Sequence, residues 1–250
     1  MPEETRQVAL PPRNVRLTIE FDGAGYAGWQ FQPNRPTVQG EVEAAARRIF
    51  GVETTVYGCG RTDAGVSARA YVANFFARTK LEPERLRCAL NNHLPHDIHV
   101  IAAAVVPDSF HARHSACGKT YVYRVVRGVS PLRRSRAWEM KFPLSVAKTR
   151  RAATLFLGTR DFRAFCHADD ENGRCTVRRL DVAEHGDELL FTVEGDRFLY
   201  KMVRRIVGAA VTYGLGRVTL RDLRAALAGR PHTPFQTAPA AGLVLDSVSY

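Results

Sequence analysis

Residues 15 to 21, VRLTIEF, alternate so that Val15, Leu17, Ile19 and Phe21 fall on one face, which predicts a half-buried strand. The period then lengthens. In TVQGEVEAAARRIFG, Val38, Val42, Ala45, Ile49 and Phe50 recur at helical spacing, with Thr37 placed to cap the start and Gly51 to stop it. A short strand ETTVYG follows, then strand-like YVANFFA, a helix PERLRCALNNHL with Leu86, Leu90 and Leu94 on one stripe, and strand-like HVIAAAVV. Strand, helix, strand, strand, helix, strand is the order of a ferredoxin-like split βαβ unit.

The rest of the chain repeats the plan with longer insertions. KTYVYRVV predicts a strand and SVAKTRRAATLFLG a helix capped by Ser145, while VRRLDVAEHGDELLFTVEG predicts a hairpin with HGDE as its turn. FLYKMVRRIVGAAVTYG puts Leu199, Met202, Val203, Ile206, Ala210 and Tyr213 on one helical stripe, leaving Arg204 and Arg205 off it. TLRDLRAALAG predicts a last helix and GLVLDSVSY a final strand. The expected fold is therefore α+β: two ferredoxin-like, RRM-like halves forming a largely antiparallel sheet with helices on one face. The expected divisions are an arm at 1–12, a first subdomain at 13–108 and a second at 109–250.

Composition narrows the partners. With 45% hydrophobic and 24% charged residues the chain is globular. Its 36 Lys and Arg against 25 Asp and Glu give a net charge of +11, which favours a polyanion such as a nucleic acid. PLRRSRAW, KTRR, CTVRR and KMVRR are the basic segments. The 5 cysteines are scattered without a C-x-x-C pair, so neither a disulfide framework nor a zinc knuckle is expected. The start MPEETRQVALPPRN lacks a signal-peptide pattern and no apolar stretch is long enough for a bilayer, so a cytoplasmic protein with no membrane association is expected. His93, His96 and His99, or His111, His114 and Cys117, do not make a tetrahedral metal site at their spacings; no metal is expected.

GCGRTDAGVSAR, residues 58 to 69, stands apart from this regular patterning. Glycines at 58, 60 and 65 allow sharp turning and close approach, and they would hold Asp63 on an exposed bend. An Asx-turn accounts for one or two such residues, not for six in a row. Tyr121 and Tyr123, two apart on one strand, project to the same face, which suits either base stacking or core packing. Trp29 is expected to pack.

GRTDAG closely resembles the active-site loop of the tRNA pseudouridine synthase A family. YAGWQ with TVQGEVE, FHARHSACGKTYVYR and FLYKMVRRIVG resemble the other signatures of that family, in order and in register along nearly the whole chain. The resemblance implies a cofactor-independent isomerase that converts uridine to pseudouridine at positions 38, 39 and 40 of the tRNA anticodon stem-loop. It further implies a homodimer and a basic active-site cleft between the halves. Asp63 would be the nucleophile, attacking either C6 of the uracil or C1′ of the ribose of a flipped-out uridine. Either route calls for a nearby cation that favours the ionised carboxylate. Arg61 and Arg204 compete for that place, and the resemblance selects Arg204, leaving Arg61 to displace or hold the nucleotide. Tyr121 would lie against the target uracil and accept the C5 proton late in the reaction, with Tyr123 left as core. Phe110, His111, Ala112, Arg113 and His114, and the loop Asp170 to Arg174, would contact tRNA.

The chain departs from the family in carrying Ser67 where GRTDAGVH has histidine, which bears on how the loop grips RNA, and in Cys117, Gly118 and Thr120 before Tyr121. Two other readings remain open: a noncatalytic RNA-binding protein of the same fold, and an RNA N-glycosylase, which would use a positioned water with a second carboxylate.

Overall fold

The alternation in VRLTIEF becomes strand β1 (Arg13–Phe21), with Val15, Leu17, Ile19 and Phe21 all buried in the computed structural model, which describes residues 10–166 and 172–250. Helix α1 (Val38–Phe50) starts where Thr37 accepts the Gly40 N–H at 3.3 Å, and its Val38, Val42 and Ala45 join the same core. Strands β2 (Tyr57–Gly58) and β3 (Ser67–Ala77), helix α2 (Pro83–Asn91) and strand β4 (Ile98–Val106) complete the first βαββαβ unit. The second unit runs through β5 (Gly118–Arg127), β6 (Trp138–Met140), α3 (Val146–Ala153), β7 (Gly158–Asp161), β8 (Arg174–His185) and β9 (Glu188–Gly195). It ends with α4 (Met202–Gly214), α5 (Leu220–Leu227) and β10 (Leu243–Ser249).

The ten strands among the described residues form one mixed sheet, ordered β4-β1-β3-β10-β5-β9-β8-β7, with β2 on β3 and β6 on β5. Within it, β4-β1-β3-β2 and β10-β5-β9-β8 are the same order twice: fourth, first, third and second strand of the unit. β2 pairs only at Ala73 and Asn74, which leaves the Ser67–Ala68 end of β3 free for β10, and the two run parallel there. Apart from this joint and the β5–β6 pair, the ladders among the described residues are antiparallel.

One row of directly paired residues, Phe21, Ala68, Leu245, Tyr121 and Val193, crosses the joint. Side chains in such a row project to the same side of a sheet. Phe21, Ala68 and Leu245 pack with α1 and α2, Val193 packs with α4, and Tyr121 touches both groups. The helices of both halves therefore cover one face, in two adjoining cores. Among the described residues no helix is long and apolar enough to cross a membrane.

Four details differ from the patterning. β6 and β7, at 3 and 4 residues, are too short to show a period. ETTVYG shrinks to the two residues of β2. The helix expected from Phe198 begins only at Met202, because Lys201 takes a left-handed conformation (φ 59°) that breaks the helical ladder before it. Part of the PLRRSRAW segment is internally neutralised: Arg133 pairs with Asp187 and with Glu188 (3.2 Å), and Arg136 with Asp22 across the two halves (3.2 Å).

Candidate active site

Between β2 and β3 the chain makes no ordinary hairpin turn. It leans instead on the YAGWQ segment: the Gly65 N–H donates to the Tyr26 carbonyl (3.2 Å), and the Trp29 N–H to the Thr62 carbonyl (3.4 Å). Gly28 makes this possible, since its φ is +97° and a Cβ there would stand 2.3 Å from the Thr62 oxygen. The floor beneath is closely packed. Trp29 is buried and stacks on Tyr71 at 4.1 Å between ring centroids, and the Tyr71 hydroxyl donates to the Gly60 carbonyl.

On this loop Asp63 turns its Oδ2 to Arg204, which donates from Nη1 at 2.6 Å; the two side chains are only 15% and 14% exposed. Arg204 is held from behind. Its Nε donates to the Ala238 carbonyl (2.8 Å), and its own carbonyl accepts the Ala238 N–H (3.1 Å). Lys201 sets the entry into α4, so Arg204 is the third residue of the helix and sits at its cleft end. Arg205 points elsewhere, donating to the Ala164 carbonyl at 3.0 Å and lying over Phe235. Neither arginine belongs to a solvated face.

Tyr121 reaches the same cleft from β5, its ring edge-on to Phe198 at 5.2 Å. Its hydroxyl has no hydrogen-bond partner among the described residues. Burial pushes the phenol above its ordinary pKa, and negative charge at Cys59 and Asp63 would add to this, so it is a neutral ring at physiological pH. Tyr123 is fully buried with its hydroxyl on the Pro239 carbonyl (2.8 Å).

Asp63 and Tyr121 line a cleft of about 1360 Å³ between the start of α1 and the start of α4. Its wall is cationic: Arg35, Arg61, Arg113, Lys119, Arg197 and Lys201 join Arg204 there. Among the described residues, the one acid besides Asp63 that lines it is Asp196, whose Oδ1 accepts the N–H groups of Thr176 (2.8 Å) and Arg197 (2.6 Å).

Of the residues expected to touch RNA, Arg61 is exposed on the cleft wall, and His111, Arg113 and His114 also line it. His111 lies 5.2 Å from Tyr57 and 4.4 Å from His114, ring to ring; burial and then its neighbour His114 hold its imidazole below the ordinary pKa. Phe110 and Ala112 are not brought to the cleft. Phe110 packs on Tyr250 at 5.0 Å, and buried Ala112 spends its N–H on Asn74 (2.8 Å) and its carbonyl on the Tyr250 hydroxyl (2.7 Å). Asp170 and Glu171 of the expected 170–174 loop lie outside the described residues; Asn172 accepts the Arg174 N–H at 3.2 Å. Among the described residues, no three His, Cys, Asp or Glu side chains are placed to hold a metal.

Ser67 does not line the cleft. Its Oγ accepts the Gly23 N–H (3.0 Å) and donates to Asp22 (3.4 Å), so it ties the start of β3 to the 22–25 turn rather than gripping a ligand. Arg35, Lys119, Asp196 and Arg197 line the cleft without having been singled out from the sequence. Lys119 shares the parity of Tyr121 on β5 and could have been found from that; Lys201 stood out only as part of the basic run KMVRR, because nothing in FLYKMV marks a left-handed residue.

A sequence profile described as tRNA pseudouridine synthase matches residues 17–115 and again 152–250, once in each half. The chain is 40% identical over 238 residues to tRNA pseudouridine synthase A of Halalkalibacterium halodurans, covering 93% of this chain and 90% of that protein. It is 41% identical over 243 residues to the protein of the same name from Moorella thermoacetica, covering 94% and 99% of the two chains. Against that from Rhodopseudomonas palustris the identity is 43% over 243 residues, covering 94% and 98%.

Proposed function

The chain belongs to the tRNA pseudouridine synthase family, and on that premise we propose that it isomerises uridine at positions 38, 39 and 40 of the tRNA anticodon stem-loop, with Asp63 as nucleophile. The observation that carries this is the Asp63–Arg204 pair, nearly buried in a cationic cleft beside Tyr121. The target uridine has to leave the helical stack, because its C6 and C1′ are inaccessible within it. Attack by the Asp63 carboxylate on either atom leads to cleavage of the C1′–N1 bond; the base turns, C1′ bonds to C5, and the C5 proton is lost as N1 regains one. Substrate and product hold the same atoms, so the reaction is redox-neutral. Arg204 supplies the counter-charge where water is largely excluded.

Tyr121 serves as the surface on which uracil lies. A neutral phenol suits that role better than acceptance of the C5 proton, which needs the phenolate. The isomerase reading is also favoured over an N-glycosylase, because the second acid of the cleft, Asp196, is committed to backbone N–H groups.

The test is tritium release from tRNA labelled at uridine C5. Wild-type protein should release it, and Asp63→Asn, which keeps the shape and removes the charge, should fall to background. Release from both proteins would overturn the role of Asp63, release from neither the activity, and free uracil as product would favour the glycosylase.

A further inference from the structure

Lys119 is placed in the cleft by the same alternation that places Tyr121: two residues apart on β5, they point to one side about 7 Å from each other along the strand. Its ammonium rests on the backbone of the loop that carries the nucleophile. A Cβ added to Gly60 would stand 2.7 Å from Lys119 Nζ, so the missing side chain at 60 is the space the ammonium occupies. The charge has no hydrogen-bond partner or carboxylate among the described residues. Asp63 is already engaged by Arg204, and the neighbours of Lys119 are the Cys59 thiol, which burial keeps protonated, and the like-charged Arg113. Burial is the main influence drawing its pKa down, and Arg113 adds to this. Arg133 and Arg136, by contrast, each have an acid.

A half-buried cation without a counter-ion is costly, and the deficit is made good by an anion that arrives with the ligand. On RNA the anion is the phosphodiester. A nucleotide turned out of its stack onto Tyr121 brings the phosphates on either side of it to the cleft wall, and an ammonium, as a compact point charge with three donors, takes one of them without demanding an orientation. Resting on the function proposed above, we propose that Lys119 seats a backbone phosphate flanking the target uridine, and that residue 60 is glycine to leave that seat open. Lys119 is thereby a positioning residue: it fixes where the nucleotide lies relative to Asp63 and takes no part in bond-making.

The experiment uses a synthetic anticodon stem-loop RNA in which the phosphate 5′ or 3′ of the target uridine is replaced, one at a time, by a neutral methylphosphonate. Binding and turnover are measured for wild type, Lys119→Met, Lys119→Arg and Gly60→Ala. Lys119→Met should weaken binding about tenfold and lower the slope of log Kd against log salt by about 0.7 to 1, with kcat altered less than KM. Lys119→Arg should keep most of the affinity. Gly60→Ala, which displaces the ammonium without removing it, should fall between. At one of the two positions the methylphosphonate should cost wild type about tenfold and Lys119→Met almost nothing.

An unchanged salt slope in Lys119→Met, or equal loss in wild type and mutant at both positions, overturns the seat. If Lys119→Met does not fold, Lys119→Arg and Gly60→Ala decide through the same coupling to the methylphosphonate. Because these readouts measure binding, they remain decisive if wild type releases no tritium, an outcome that falls on the proposed activity instead.

Discussion

The two halves share one strand order and one sheet, yet the connection between their second and third strands is built in opposite ways. In the second half β8 has 12 residues and meets β9 through a tight turn at Gly186 and Asp187, with His185 paired to Glu188. In the first half β2 has 2 residues, and the connection opens into the segment 59–66 that carries Asp63. A long second strand holds its hairpin by local pairing. A short one cannot, and the loop is held instead by tertiary bonds to Tyr26 and Trp29 and by the pair with Arg204, 141 residues away. The difference teaches that this site is made by withdrawing secondary structure from one copy of a repeated plan and letting the other copy supply the anchor.

Removing the anchor should have the largest effect. Arg204→Met leaves Asp63 without its counter-charge and the Ala238 carbonyl without its side-chain donor, and tritium release should drop about a hundredfold or more. Retained turnover would mean that the loop needs nothing from the second half. Next comes the support within the first half. Gly28→Ala meets both a left-handed backbone and the Thr62 oxygen, and should destabilise the protein by about 2 to 3 kcal/mol as read by denaturant unfolding, with turnover falling alongside. The matching change in the closed hairpin is the mildest. Gly186→Ala has a φ of +61° but open space around it, and should cost about 1 kcal/mol with turnover unchanged. Equal losses at 28 and 186 would erase the distinction between the two connections.

How far the sequence disclosed this depends on what kind of contact sets each feature. Strands such as β1 and helices such as α1 were legible because burial on one face imposes a period, and Thr37 marks the start of the helix directly. The order of elements disclosed both βαββαβ units and hence the single sheet. Asp63 was marked by the density of its glycine-rich loop, while the roles of Asp63, Tyr121 and Arg204 came from family resemblance; periodicity alone left Arg204 divided between a solvated face and a site. Phe110 and Ala112 lie off the cleft while His111, Arg113 and His114 line it, because adjacency in FHARH does not say which members face the cleft. The function of Ser67 was illegible for a related reason. Its partners, Gly23 and Asp22, lie more than forty positions earlier, and only the folded chain brings them alongside.

The parallel joint between β3 and β10 has a consequence in time. It is flanked by Arg69 and Asp246, paired at 2.8 Å and separated by 177 residues, a longer separation than any strand pairing within either half, where β1–β4 and β5–β10 close the units. Closing so long a loop is entropically expensive and slow, and it brings no reward until both partners are ordered. Each half can therefore gain its helices before the other is ready, while Asp63 and Arg204 meet only afterwards. In a refolding experiment the far-ultraviolet helical signal should recover ahead of tritium release; simultaneous recovery would mean that the halves fold as one unit from the start.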